Sequence, residues 1–279
     1  MQHQTSSRSP NRPGPNRPSV GIIGAGVSGL GIGWRLASAG CRVDIFDRGE
    51  PGQAASWAAA GMLAARAEAE PGEERLLALD LASQEMWPGF AAELEADSGI
   101  SVEYRDEGIL IVALDRDDAE ALRFNYDYQT GQGLDVEWLS GAEAREREPF
   151  LSPNVCAGVF SAGDHQVENR KLVEALIAAF RKAGGTLHGN TEVKAVDTEA
   201  GRVRGLVLAG EESDVRPYDM VVVAAGAWSR NLEGLPKEVR PPVRPLKGQM
   251  IATQMDLAAP LLRHVVWAPG VYLVPRNDG

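Results

Sequence analysis

The stretch Gly24-Ala25-Gly26-Val27-Ser28-Gly29 limits what this chain can fold into more than any other, because of what flanks it. Val20-Gly21-Ile22-Ile23 leads into it as an apolar run of the kind that forms a buried parallel strand. Behind it, Leu30, Trp34, Leu36 and Ala37 recur at helical spacing, and Gly40 closes the segment. Residues 42–47 then read as a second strand, which completes a β-α-β unit in about 30 residues. In that setting Gly24 permits the tight turn out of the strand and Gly26 lets a pyrophosphate approach the backbone. Gly29 lets the helix lie close to the sheet. The helix start offers N–H groups and a positive dipole end to the phosphates. Asp47, at the end of the second strand, is placed to take both ribose hydroxyls. The expected ligand is a dinucleotide.

Its identity is less constrained. Arg48 could meet the 2′-phosphate of NADP, but the Asp47 anion beside it would repel that group. For FAD the small residues that follow matter: 54–65 is rich in Ala and Gly, so backbone amides can pass close to a pyrophosphate and a flavin ring. Ser56 can donate to a phosphate there. A tightly packed small-residue helix explains the same stretch equally well.

Composition removes some function classes. A net charge of -11 and a pI near 5.0 argue against a nucleic-acid partner held by phosphate neutralisation. No apolar run approaches the roughly 18 residues of a membrane span. Cys41 and Cys156 lie far apart and outside any metal-type spacing, so free thiols in a reducing compartment are expected. Residues 1–18 carry Arg8, Arg12 and Arg17 but no apolar core, which reads as a disordered tail and not a secretory signal. The expected location is cytoplasmic, and a homo-oligomer is compatible with the composition.

Further along, residues 73–97 read as a helix that Pro88 should kink or split, with Leu76, Leu77, Leu79, Met86, Trp87, Phe90 and Leu94 on or near one face. Residues 102–114 read as strand, 116–128 as helix, and 134–167 as short strands with turns. Leu172, Val173, Leu176, Ile177 and Phe180 form the stripe of an amphipathic helix, with Asn169 as its N-cap and Gly184-Gly185 as its end. Strands at 192–196 and 202–208 flank a turn at 199–201, and 218–226 is an apolar strand running into glycine. The strand at 271–274 precedes Asn277-Asp278-Gly279, which is hairpin chemistry, so its partner strand is expected to be missing. These elements predict an α/β protein. A Rossmann-type dinucleotide-binding domain (19–80 and 150–240) is interleaved with an α+β substrate domain on a mixed or antiparallel sheet (81–149 and 241–279), with its C-terminal part incomplete.

Several blocks together resemble the D-amino-acid oxidase-like flavoproteins, and within them the glycine oxidase branch of thiazole biosynthesis. They are the glycine loop, Asp47-Arg48-Gly49, and above all Ala55-Ser56-Trp57-Ala58-Ala59-Ala60-Gly61-Met62. The likeness continues at Gln166-Val167-Glu168, Ala224-Ala225-Gly226-Ala227-Trp228-Ser229, Pro245-Leu246-Lys247-Gly248-Gln249-Met250 and Tyr272-Leu273-Val274-Pro275-Arg276. It implies FAD as the cofactor. Val27 and Ser28 would lie on the pyrophosphate, and Asp47 and Arg48 at the adenosine ribose. Ala55, Ser56, Ala60, Gly61 and Met62 would line the pyrophosphate and flavin ring. Val193 would meet the adenine, Ala225 and Gly226 would pass the cofactor, and Tyr272 would face the substrate.

The implied activity is oxidation of glycine or a similar small amine by oxygen, giving ammonia and hydrogen peroxide and feeding thiamine biosynthesis. Such chemistry needs orientation more than acid–base groups. The resemblance also places the arginine that clamps the substrate carboxylate, and a second glycine-rich flavin loop, beyond Gly279. Arg276 does not match the clamp position. A truncated chain with impaired flavin retention is therefore expected. A sarcosine or D-amino-acid oxidase, or a non-catalytic FAD-binding fragment, remain as alternatives.

Overall fold

The computed structural model describes residues 17–210 and 215–279, so residues 1–16 of the expected tail lie outside the described part. In chain order, β1 (Ser19–Ile23), α1 (Val27–Ser38), β2 (Arg42–Phe46), the short α2 (Ala55–Ala58) and β3 (Met62–Leu63) lead to the long α3 (Glu74–Ser98). Next come β4 (Ile109–Ala113), α4 (Arg116–Gly131), β5 (Glu137–Ser140), α5 (Gly141–Arg147), β6 (Ala157–Ser161) and β7 (His165–Gln166). The chain continues through α6 (Asn169–Lys182), β8 (Thr186–His188), β9 (Val193–Glu199), β10 (Arg202–Leu208), β11 (Val215–Pro217) and β12 (Met220–Val223) to β13 (Val265–Ala268) and β14 (Val271–Leu273). It divides into two compact units: one takes the chain up to Trp57 with Leu176–Gly248, the other Ala58–Ala175 with Gln249–Gly279.

The first unit is built on a parallel sheet of order β12-β1-β2-β8. All five residues of β1 are buried, as its uninterrupted apolar character demands. Its start is fixed by a reciprocal clasp: Asp219 Oδ2 accepts from the Ser19 N–H (2.7 Å) and hydroxyl (2.6 Å), while the Asp219 N–H donates to Ser19 Oγ (3.0 Å). Helix α1 packs on this sheet through Leu30 and Trp34, both fully buried. Gly33 makes that approach possible, since a Cβ there would lie 2.6 Å from Ile45 Cδ1 and 3.2 Å from the Phe180 ring. Burying a ring such as Phe180 stabilises the unit by about 1.5–3 kcal/mol. A second, antiparallel sheet of order β11-β10-β9 completes the unit. Its β9–β10 hairpin turns on Ala200 (φ 49°) and Gly201 (φ 76°), the paired left-handed residues of a tight type I′ turn.

The second unit has a five-stranded mixed sheet, β14-β13-β4-β6-β5, and a small β3–β7 ladder. Strand β13 runs parallel to β4, and every other pairing in the five-stranded sheet is antiparallel. Here the observed elements correct several expectations. A strand the sequence did not announce, β13, pairs with β14 through the turn at Gly270 (φ 76°). Strand β4 begins only at Ile109, because Gly108 (φ 98°) breaks the extended run. Helix α3 runs unbroken through Pro88, and its buried face is Leu77, Gln84, Ala91 and Leu94. Leu76, Leu79 and Met86 are exposed. Asn169 is the first residue of α6, and Glu168 caps it instead, its Oε1 accepting from the Arg170 N–H at 3.1 Å. The stretches 58–80 and 150–175 group with this unit and not with the dinucleotide half, because β3 pairs with β7 and β6 sits between β4 and β5. A buried polar clamp closes the sheet: Glu148 Oε1 accepts from the N–H groups of Arg263 (2.9 Å) and His264 (2.6 Å) and lies 2.7 Å from His264 Nδ1.

Candidate dinucleotide site

The turn from β1 into α1 has the shape the glycines predict. Gly24 has φ +103°, and a Cβ there would stand 2.3 Å from the Ala224 carbonyl oxygen. A Cβ on Gly29 would lie 1.9 Å from the Gly24 carbonyl oxygen, so α1 can sit this close only with glycine at that position. Gly26 is different: the nearest atom to its added Cβ is Ser56 Oγ at 3.1 Å. The fold therefore tolerates a methyl group at Gly26 far better than at Gly24 or Gly29, and the space it leaves belongs to the cradle. The first turn of α1 holds no acidic residue, and Gly26 offers no side-chain cap. That leaves the positive helix end to neighbouring acceptors or a ligand. Ser56 Oγ takes the Val27 N–H at 2.9 Å.

Asp47 is held by backbone from both sides. Its N–H donates to the His188 carbonyl (2.9 Å) and its own carbonyl accepts from Thr191 (2.7 Å). Its carboxylate accepts from the Ala25 N–H through Oδ2 (2.8 Å) and from the Gly49 N–H through Oδ1 (2.9 Å). Each oxygen keeps a further lone pair, the pattern needed to receive vicinal hydroxyls. Beside it, the Arg48 guanidinium lies over the Trp228 ring, 3.9 Å from the centroid. Behind it Phe46 stacks on His188 at 4.5 Å.

These groups line one cavity of about 640 Å³ within the first unit. That is the size and mixed polarity of a cofactor site. Gly24, Gly26, Asp47, Arg48, Ala55, Ser56, Val193, Ala225 and Gly226 all face it. Val27, Ser28 and Gly29 form the first turn of α1 and are not among its lining residues. Gln53, Lys194 and Glu233 line it as well and escape sequence reading, and Trp228 lines it too. Trp228 belongs to a family block, but its contact with Arg48 is one that no local pattern encodes. The residues fit an ADP moiety: a glycine-lined cradle at a helix start, a doubly anchored carboxylate, and a cavity walled partly by small side chains.

Ala60, Gly61, Met62 and Tyr272 belong to the second unit. Gly61 (φ +75°) crosses the Val167 peptide so closely that a Cβ would lie 2.1 Å from the Val167 carbonyl oxygen. Met62 pairs with Gln166 in the β3–β7 ladder. Tyr272 is half-buried on β14, and its hydroxyl donates to Met250 Sδ at 3.3 Å. Among the described residues no His, Cys, Asp and Glu group could hold a metal ion, and no helix is long and apolar enough to cross a membrane.

Comparison with known proteins agrees with this geometry. The chain is 35% identical over 248 residues to the glycine oxidase of Geobacillus kaustophilus, which covers 88% of this chain and 64% of the relative. It is 36% identical over 232 residues to the bifunctional protein ThiO/ThiG of Synechocystis, covering 81% of this chain and 32% of that protein. The crystal structure of the Geobacillus kaustophilus glycine oxidase superposes with a TM-score of 0.79 at 31% identity, covering 94% of this chain and 69% of that one. This chain thus spans a little under two thirds of the length of the glycine oxidase it matches in sequence. The sequence pattern of the FAD dependent oxidoreductases matches residues 19–279, from the first strand of the cradle to Gly279, and the chain belongs to that family.

Proposed function

We propose that the chain holds FAD and serves the oxidative deamination of glycine or a similarly small amine, within the thiazole branch of thiamine biosynthesis and in the cytoplasm. The observation that carries this reading is a fitted ADP cradle in a chain 35% identical to a protein named glycine oxidase. The ThiO/ThiG relative supports the biosynthetic setting. FAD, when bound, would supply the two-electron acceptor for oxidation of the amine carbon, with oxygen as the final acceptor and hydrogen peroxide as its product. The substrate leaves as an imine, which water converts to the 2-oxo acid and ammonia.

The chain's own residues do the holding. Gly24, Gly26 and the start of α1 receive the pyrophosphate, Asp47 the ribose, and Arg48 with Trp228 and Val193 the adenosine end. Ala55, Ser56, Ala60, Gly61, Met62, Ala225 and Gly226 follow the rest of the cofactor, and Tyr272 meets the amine substrate. The test is purified chain with FAD, assayed for peroxide across glycine, sarcosine, D-alanine and a bulky D-amino acid. Turnover with the smallest amines is expected. Preference for the bulky D-amino acid overturns the glycine assignment, and stoichiometric FAD without peroxide from any amine overturns the enzymatic one.

A further inference from the structure

Arg276 follows β14 closely, and each nitrogen of its guanidinium has a partner. Its Nε pairs with Glu168 Oε2 at 2.9 Å and Nη1 donates to the Val167 carbonyl at 3.0 Å. Its Nη2 donates to the Ala60 carbonyl and to Asn169 Oδ1, both at 2.8 Å. The segments it joins already touch, since the Val167 N–H donates to the Gly61 carbonyl at 2.9 Å. Arg276 therefore holds the carbonyls of Ala60 and Val167, on either side of the left-handed Gly61, with one planar group. A planar fork of five donors suits this set of acceptors, and a lysine ammonium does not.

A second arginine fixes where Arg276 starts. Arg105 Nη1 donates to the Pro275 carbonyl and Nη2 to the Arg263 carbonyl, both at 3.0 Å, while its backbone forms a bridge with Gln166. The strand bearing Tyr272 is thereby tied to the Ala60-Gly61-Met62 turn through consecutive charge-assisted bonds, each stronger than a neutral one. The same engagement explains why Arg276 has no donor fork left to offer a substrate carboxylate.

We propose that Arg276 is a positioning residue for the cofactor: it sets the shape of the Ala60-Gly61-Met62 turn and joins it to the Tyr272 strand. This rests on the FAD reading above, which assigns that turn to the cofactor. The test compares wild type, Arg276→Lys and Arg276→Gln by calorimetric titration with FAD and, separately, with ADP, which reports the Gly24 cradle and the integrity of the fold. Hydrogen exchange at the Val167 amide is followed in the same proteins.

FAD affinity is expected to fall roughly tenfold in Arg276→Gln and less in Arg276→Lys, the size of losing a charged hydrogen bond. ADP affinity should stay within about twofold of wild type, and Val167 exchange should speed up. Equal FAD affinity, a parallel loss of FAD and ADP affinity, or unchanged Val167 exchange would each overturn the proposal. Wild type that binds ADP but not FAD overturns the flavin reading, and the role of Arg276 falls with it.

Discussion

The Asp47 carboxylate accepts the Ala25 N–H at 2.8 Å, so the residue proposed to read the ribose also braces the glycine loop proposed to receive the phosphates. One side chain sets the distance between the two halves of the cradle. Asp47→Ala should therefore cost nucleotide affinity twice, through the lost ribose acceptor and through a loosened loop. The expected fall in ADP affinity is on the order of tenfold to a hundredfold, from about 1.5–3 kcal/mol per hydrogen bond to a charged group. Calorimetry with ADP measures it, and an unchanged affinity would remove Asp47 from the site.

Gly24 and Gly26 should separate fold from binding. At Gly24 a methyl group meets the Ala224 carbonyl at 2.3 Å and demands a left-handed backbone. Gly24→Ala is expected to destabilise the first unit by roughly 1–3 kcal/mol or more. At Gly26 the methyl meets only the movable Ser56 hydroxyl at 3.1 Å. Gly26→Ala should leave the melting temperature near wild type while abolishing most ADP binding. Thermal melts and ADP titrations on both variants decide the matter. A melting loss in Gly26→Ala as large as in Gly24→Ala contradicts the assignment.

Glu148 makes stability depend on acid. Burial alone would raise its pKa, but the hydrogen bonds from the His264 ring and from the His264 and Arg263 backbones outweigh it and leave the pKa below the ordinary 4.5. A carboxylate depressed on folding contributes stability above its unfolded pKa and loses that contribution as pH falls through the folded value. Glu148→Gln should cost about 1–3 kcal/mol at neutral pH, and the difference should shrink as pH drops below 4.5. Urea unfolding of both proteins across that range is the measurement. A pH-independent gap would show that the charge is irrelevant.

Tyr272→Phe removes a hydroxyl whose acceptor here is the weak Met250 Sδ. Stability should change by less than about 1 kcal/mol. If the hydroxyl meets the substrate, KM for glycine rises several-fold while the melting curve stays put. A melting loss without a KM change would make Tyr272 a packing residue instead.

How much of this was legible in the chain depended on how local each cause is. The β1-α1-β2 unit and the turn at 199–201 follow from neighbours in sequence, and both appear where they were expected. So does the Gly24 turn, in which Gly29 is demanded by the carbonyl oxygen of Gly24 a few residues earlier. Strand β13 was not legible, because four residues become a strand only by pairing with β4 and β14. Leu76, Leu79 and Met86 suggested a buried face, but tertiary packing selected Gln84 and Ala91 on a different one. Ser140 and Glu143 form a capping box at the start of α5, whose Ser-x-x-Glu spacing lies within a stretch dense in turn residues. Within the site, Asp47 and the glycines announced themselves by spacing. Glu233 did not, since nothing local links it to a loop some 200 residues away.

The clasp between Ser19 and Asp219 has a consequence for how the molecule is made. During synthesis β2 follows β1 almost at once, but β12, the other neighbour of β1, leaves the ribosome some 200 residues later. Throughout that interval one flank of β1 is a bare, apolar, hydrogen-bonding edge, the kind of surface that recruits other chains. Long-range closure of this sort is slow to form. The two flanks of β1 are thus translated far apart, and the glycine turn at its end is complete only when β12 arrives.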